Sequence, residues 1–300
     1  LILLCSDRRY DIVVLPGYHQ VAYWIALFFA QISRKRIGVF CDSTELDNKQ
    51  STVKSKLKIL FFRNCDFFLA YGTRSAQYLS RHKVPLAKIF YPCNAAARNI
   101  QANDARLIGS DRSSLPQSAS NCSILYVGRL SKEKNVATLI KAFSLIHKEH
   151  PDLNLRICGS GPESEQLFEL IGELNLTEKI FMVGPRTPDE LRNEYLSAIT
   201  LVLPSLSEPW GLVVNEALYY GCPAIVSDRC GCAPDLIDST TGVVVSPINE
   251  DSLAAAIQET ILKIKSGHIT PLTCYQKIEM YSPRNAAKRM LGGIFGYLES

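Results

Sequence analysis

Along the 300 residues, ten short aliphatic or aromatic runs alternate with longer stretches in which apolar positions recur at helical spacing. The runs are DIVVL from Asp11, RIGVF from Arg36, DFFLA from Asp66 and KIFY from Lys88, then SILYV from Ser123, LNLRIC from Leu153, KIFMV from Lys179, TLVLP from Thr200, PAIVS from Pro223 and GVVVS from Gly242. Helical period is clearest over Val136–His147 and Glu163–Leu174. Most of the runs are apolar at consecutive positions, which is the mark of strands buried on both faces in parallel sheets covered by helices. The pattern therefore predicts an α/β protein with two doubly wound, Rossmann-like parallel-sheet domains. VAYWIALFFA, Val21–Ala30, is about half as long as the roughly 18 apolar residues a spanning helix needs, and reads as a buried helix.

The period lapses between Asn94 and Asn121, a stretch rich in Ala, Asn, Ser and Asp that reads as an interdomain linker. The domains expected are a partial first domain over residues 1–115, with the linker from about 94, a second domain over 121–282, and a last helix over 283–300. That helix follows a break at YSP and is expected to return toward the first domain. With four strands before the linker and Leu rather than Met at position 1, the first domain reads as truncated at its N-terminus.

A hydrophobic content of 47% is ample for two cores. The charge is divided: residues 1–120 hold 17 Lys and Arg against 8 Asp and Glu, and residues 121–300 hold 16 against 21. The halves are expected to face different partners. The ten cysteines are scattered, apart from CGC at Cys230–Cys232, which suits a reducing, cytoplasmic setting. Cys222, Cys230 and Cys232 do not read as a zinc site, because Cys-x-Cys is not the usual clip and no His lies nearby.

In an open parallel sheet, ligands bind beyond the carboxyl ends of strands, where helix N-termini present free amides. SILYV runs into GRLSKEKN, in which Gly128 permits a turn and Arg129 and Lys134 place two cations suited to a diphosphate; solvated loop charges are the plainer alternative. The next strand ends in CGSGPE, where Gly159 and Gly161 permit close backbone approach, though a lone Gly-x-Gly is weak evidence. KIFMV ends in GPRTPDE, with Arg186 in a turn able to lie against a planar base. TLVLP leads to SEPWG, after which LVVNEALYYG is read as a helix ending at Gly221, with Pro209 suited to a first helical turn. The amides of Gly211, Leu212 and Val213 then form an anion site. Eight helical rises would separate Glu208 from Glu216 by roughly 12 Å, about the length from a sugar across a diphosphate to a ribose. Carboxylates accept hydrogen bonds from sugar hydroxyls, so one acid can hold each sugar. The alternative makes Glu208 a favourable N-terminal acid and Glu216 a solvent-facing helix residue.

VGRLSKEKN, ICGSGPE and above all SEPWGLVVNEALYYGCPAIVSDRCGCAPDLI resemble the donor domain of retaining glycosyltransferases of family 4, which have the GT-B fold. The likeness is close over residues 121–282 and looser across YDIVVLPGY, CDSTE, YGTRSAQYL and KIFYPCN. The resemblance implies two Rossmann-like domains facing a cleft, and transfer of a sugar from a nucleotide-sugar donor to an acceptor hydroxyl with retention. It further implies that Arg129 and Lys134 bind the diphosphate, Glu208 the transferred sugar and Glu216 the ribose, with Gly128, Gly159, Arg186, Trp210, Gly211 and Leu212 lining the donor site. No metal and no cofactor are expected, because cations and helix amides stabilise the leaving diphosphate. Complete members begin with a glycine-rich loop that Leu1–Tyr10 lacks, and many carry a His near the reacting sugar. Asp42, Ser43 or His19 stand as candidates for its place.

A non-catalytic donor-binding or partner-binding subunit of the same fold is the alternative function, and a phosphorylase of the same architecture a further rival without a distinctive feature. The expected acceptor is a sugar or a lipid-linked molecule. KSKLKILFFR, with Lys54 and Lys58, can form an amphipathic helix at the inner face of an anionic membrane, or simply a solvated basic face. No aromatic-basic module points to nucleic acid.

Overall fold

The computed structural model describes residues 7, 9–45, 52–94, 123–245 and 249–296. Two compact units make up the chain: Leu1–Ala95 together with Tyr281–Ser300, and Ala96–Met280.

In the first unit, strands β1 (Ile12–Leu15), β2 (Arg36–Cys41), β3 (Phe67–Ala70) and β4 (Ile89–Phe90) form a parallel sheet in the order β1-β2-β3-β4. Helices α1 (Val21–Ile32), α2 (Thr52–Arg63) and α3 (Thr73–Arg81) connect them. Ala26, Leu27, Ala30, Phe61, Phe62, Tyr78 and Leu79 pack on one face of the sheet. On the other face, Phe67 and Leu69 meet Met290 and Ile294 of the last helix, α11 (Pro283–Gly296). Every residue of β3 is therefore buried, as its unbroken apolar run requires. Burial of each phenylalanine contributes about 2 kcal/mol. Gly293 of α11 sits where a Cβ would lie 2.6 Å from the Phe90 ring, so the helix rests directly on β4.

The expectation that Val21–Ala30 is a buried helix is corrected. Only Ala26, Leu27 and Ala30 of α1 are fully buried, whereas Val21 is 75%, Phe28 58% and Ile32 63% exposed. Apolar content shows that a helix wants cover, and the sheet supplies it on one side alone.

The second unit holds β5 (Ser123–Val127), β6 (Asn154–Cys158), β7 (Ile180–Gly184), β8 (Ala198–Leu203), β9 (Ala224–Ser227) and β10 (Gly242–Val245) in the order β10-β9-β8-β5-β6-β7. All described pairs are parallel. Their helices are α4 (Val136–Ile146), α5 (Ser164–Glu173), α6 (Pro188–Ser197), α7 (Leu212–Tyr219), α8 (Ala233–Leu236), α9 (Glu250–Lys265) and α10 (Pro271–Glu279). Local sequence sets several boundaries. Thr187 and Glu190 form a capping box at α6, with Pro188 in its first turn. Asn249 accepts from the amides of Asp251 and Ser252 at α9, and Thr270 caps α10. Gly221, at φ 70°, closes α7 where the left-handed region is needed.

From β5 the chain steps outward to β6 and β7, then returns to β8 on β5's other side. That reversal lies between β5 and β8, and it opens a crevice at their carboxyl ends. Among the described residues, no helix is long and apolar enough to cross a membrane.

Candidate active site

Arg129, Lys134 and Glu208 all lie in the loops that leave β5 and β8, the two strands at this switch point. After β5 the chain turns at Gly128, and the buried Tyr126 hydroxyl donates to the Arg129 carbonyl at 2.9 Å. The Arg129 side chain is exposed. Lys132–Lys134 then form a 3-10 turn, and Asn135, at φ 56°, starts α4. The Asn135 side-chain Nδ2 donates to the Pro204 carbonyl at 3.3 Å, and the Leu206 backbone amide donates to the Glu133 carbonyl at 2.7 Å. These bonds tie the β5 and β8 loops together.

The tie brings Lys134 to Glu208, Nζ to Oε2 at 2.5 Å, with the two side chains 19% and 14% exposed. Sequence reading assigned these residues separate partners; the structure makes them a pair. In so sheltered a position the ammonium is held by one carboxylate, which leaves its other protons to point elsewhere.

The Glu208 segment is also stitched to the loop after β9. Glu208 and Cys230 form a parallel bridge, the Gly231 amide donates to the Glu208 carbonyl at 2.8 Å, and the Cys232 amide donates to the Trp210 carbonyl at 3.1 Å. A Cβ on Gly231 would lie 1.8 Å from the Pro209 carbonyl oxygen, so the close approach admits only glycine. Helix α7 begins at Leu212, as read, but Gly211 precedes it at φ 100° as a left-handed cap, so Pro209 lies outside its first turn. Counting eight helical rises from Glu208 to Glu216 therefore does not apply. Among the described residues no side chain caps α7, which leaves its first amides open beside Glu208.

Glu216, on α7, accepts from the Tyr195 hydroxyl at 2.8 Å. Tyr195 is fully buried, and burial with the neighbouring Glu216 charge raises its pKa, so the phenol stays a donor. Trp210 is buried and its indole N–H donates to Asn215 at 2.8 Å, so the ring is part of the packing under the loop. Leu212 is 45% exposed at the start of α7. Gly159 meets the Gly128 carbonyl oxygen so closely that a Cβ would lie 1.9 Å from it; the glycine there serves the contact between the β5 and β6 loops. Arg186 follows β7, two strands away from β5, and faces carboxylates: Glu190 at 3.5 Å and Glu194 at 3.6 Å. Glu194 is in turn held by a bidentate bond from Arg156, with both distances 2.6 Å.

Among the described residues, no group of His, Cys, Asp and Glu has the arrangement of a metal site. Cys222, Cys230 and Cys232 are wholly buried. The Cys230 thiol donates to the Leu203 carbonyl at 3.7 Å, and burial pushes it up to about 12, so it packs as a small apolar group. In the first unit, Ser43 joins a hydroxyl cluster with Tyr18, Asp42 is exposed, and the exposed His19 ring meets Tyr18 and Tyr23 edge-on. Tyr195, Asn135 and Asn215 were missed by sequence reading. The one local signal among them was Asn135, an Asn just before a helical run.

Residues 111–267 match the family described as Glycosyl transferases group 1. An uncharacterized glycosyltransferase of Methanocaldococcus jannaschii is 35% identical over 138 residues, 46% of this chain and 35% of that protein. The chain thus spans about a third of the length of that relative. Among solved structures, the apo form of the lipopolysaccharide outer core galactosyltransferase WaaB superposes with a TM-score of 0.76 at 20% identity, over 98% of this chain and 78% of that one. The Anabaena protein HepE in complex with UDP superposes with a TM-score of 0.78 at 15% identity, over 98% and 80%.

Proposed function

Since the chain belongs to the group 1 glycosyl transferases, we propose that it transfers a sugar from a nucleotide-sugar donor to an acceptor hydroxyl, and that the donor lies against the carboxyl ends of β5 and β8. The observation that carries this reading is the convergence of Arg129, the Lys134–Glu208 pair and the open N-terminus of α7 at the switch point. Arg129, Lys134 and the α7 amides would stabilise the charge that grows on the diphosphate as the sugar leaves. Glu208, fixed by Lys134 and by the Cys230 bridge, would accept from hydroxyls of the transferred sugar, and Glu216, held by Tyr195, from those of the ribose. Gly128, Gly159, Gly211 and Leu212 would bring backbone close to the donor. Arg186 would reach the base only by leaving Glu190 and Glu194, and Trp210 would support the loop from beneath.

The positive charge at the site supports transfer without a metal ion, and the likeness to family 4 supports retention of configuration. HepE was solved with UDP, which makes UDP and UDP-sugars the first ligands to test. Calorimetric titration of the chain with UDP, GDP and ADP and their sugar conjugates in EDTA is expected to show saturable binding of one nucleotide. Arg129→Ala should weaken it at least tenfold. Binding that appears only when magnesium replaces EDTA, or that survives Arg129→Ala unchanged, defeats this assignment.

The first unit supports a lipid-linked acceptor met at an anionic membrane surface. Helices α1 and α2 lie side by side, with the Trp24 and Phe61 rings 4.9 Å apart and Gln31 donating to Asn64 at 2.8 Å. Their outer sides expose Val21, Phe28, Ile32, Val53, Leu57 and Leu60 beside exposed Lys54, Lys56 and Arg63, and neither helix contains an acid. Apolar residues flanked by cations match an anionic bilayer interface.

A further inference from the structure

Beyond the carboxyl end of β2, the first unit holds a lysine that has no counter-ion among the described residues. Lys58 of α2 is half-buried rather than part of an exposed basic face, with Nζ 5.2 Å from the centre of the Tyr78 ring and 5.8 Å from that of Tyr18. Among the described residues, no carboxylate pairs with it. Nearby, Glu45 is engaged by Arg81, and Asp42 is exposed. Two aromatic faces attract an ammonium, but they do not replace the hydration and counter-charge that burial removes. Burial, and then the neighbouring Lys54, lowers the Lys58 pKa, which marks a cation short of negative partners.

The same two tyrosines carry a directed hydroxyl relay. Tyr18 donates to Ser43 Oγ at 2.8 Å. A phenol has one proton, so the 2.9 Å contact between Tyr18 and Tyr78 is a donation from Tyr78. Burial raises the Tyr18 pKa and keeps that proton in place. The relay thus runs from Tyr78 through Tyr18 to Ser43, whose own proton finds no acceptor among the described residues. One free hydroxyl proton and one uncompensated ammonium meet around the Tyr18 side chain, past the end of a parallel strand, where ligands of such sheets bind.

We propose that Lys58 and Ser43 form an anion subsite for a phosphoryl group carried by the acceptor. Lys58 supplies the charge and Ser43 a directed donor, while Tyr18 and Tyr78 hold both in place. The subsite rests on the transferase reading, in which this unit receives the acceptor. The phosphoryl group has two sources, a free sugar phosphate or a lipid headgroup.

The test is titration of the full chain with methyl phosphate, and in a second arm with monomeric lysophosphatidic acid, followed by tyrosine difference absorbance. Saturable binding is expected, weakened about tenfold in Lys58→Met, about threefold in Ser43→Ala, and largely kept in Lys58→Arg. Lys148→Ala, on the exposed surface of the second unit, should change nothing. Saturation by both probes means that the phosphoryl group suffices; saturation by the lipid alone assigns the subsite to a headgroup. Equal binding by the parent chain and Lys58→Met, or no saturation in either arm up to about 50 mM, overturns the proposal. UDP titration of the same samples keeps that failure distinct from failure of the donor site.

Discussion

At the scale of single residues, the glycines and buried hydroxyls separate packing from chemistry. Gly159 has φ 141° and no room for a Cβ, so Gly159→Ala should destabilise the chain by about 3 kcal/mol, read as a lower urea midpoint. Gly172, inside α5 with nothing within 4 Å of a built Cβ, should show the opposite sign: Gly172→Ala is expected to stabilise by about 0.5–1 kcal/mol. Tyr195→Phe removes the donor that fixes Glu216. It should weaken nucleotide-sugar binding by about 1 kcal/mol, or roughly fivefold, in the same calorimetry. Unchanged affinity would mean that Glu216 needs no such support. None of these three assignments was legible locally. A glycine in a strand-end loop is equally a ligand contact or a backbone contact until the neighbouring loop is known, and Tyr195 lies 21 residues from its partner.

Among the elements, the strands and major helices were readable because each is specified by its own residues. Short apolar runs marked all ten strands, continuous in most and alternating in β6, and the apolar period marked α4 and α5 to within two residues. The start of α7 at Leu212 was read from LVVNEALYYG, but Pro209, which suits a first helical turn, stays outside the helix because Glu208 and Trp210 are stitched to the Cys230–Cys232 loop. Elements also carry the pH dependence. Asp238, before β10, is bonded to Thr240 and to Lys277 of α10. Burial alone would raise its pKa, but the Thr240 and Lys277 bonds outweigh it and bring the carboxyl down to about 2. A carboxylate depressed below its unfolded value of about 3.9 stabilises the fold above that pH, and the contribution is lost as pH falls toward about 2. Asp238→Asn should therefore be less stable than the parent at pH 7, with the gap closing between about pH 4 and pH 2; urea unfolding at stepped pH reads this. A gap that stays constant with pH would assign the difference to packing rather than to charge.

For the whole molecule, the uneven charge and the uncovered helix faces belong together. The excess of Lys and Arg in residues 1–120 accompanies the exposed apolar sides of α1 and α2. Sedimentation with vesicles should show binding to phosphatidylglycerol-containing bilayers and little to phosphatidylcholine alone. Phe28→Glu with Leu57→Glu should abolish it, and raising salt from about 0.05 to 0.5 M should weaken it. Equal binding to both vesicle types would remove the electrostatic part of the proposal.

The sequence by itself determined the class of fold, the ten strands, the loops in which Arg129, Lys134 and Glu208 lie and the helix that carries Glu216. Strand burial, helical period and loop chemistry are properties of contiguous residues, and a chain displays them before it folds. Only the tertiary structure decided that Lys134 meets Glu208 across 74 positions, that Trp210 turns inward to Asn215, that Arg186 is matched by carboxylates, and that the Lys58 ammonium faces two tyrosine rings. Each of those depends on which strands become neighbours. Strand order is fixed by how whole helices and sheets cover one another, so the partner of a charge is a property of the packed fold and not of the residues beside it.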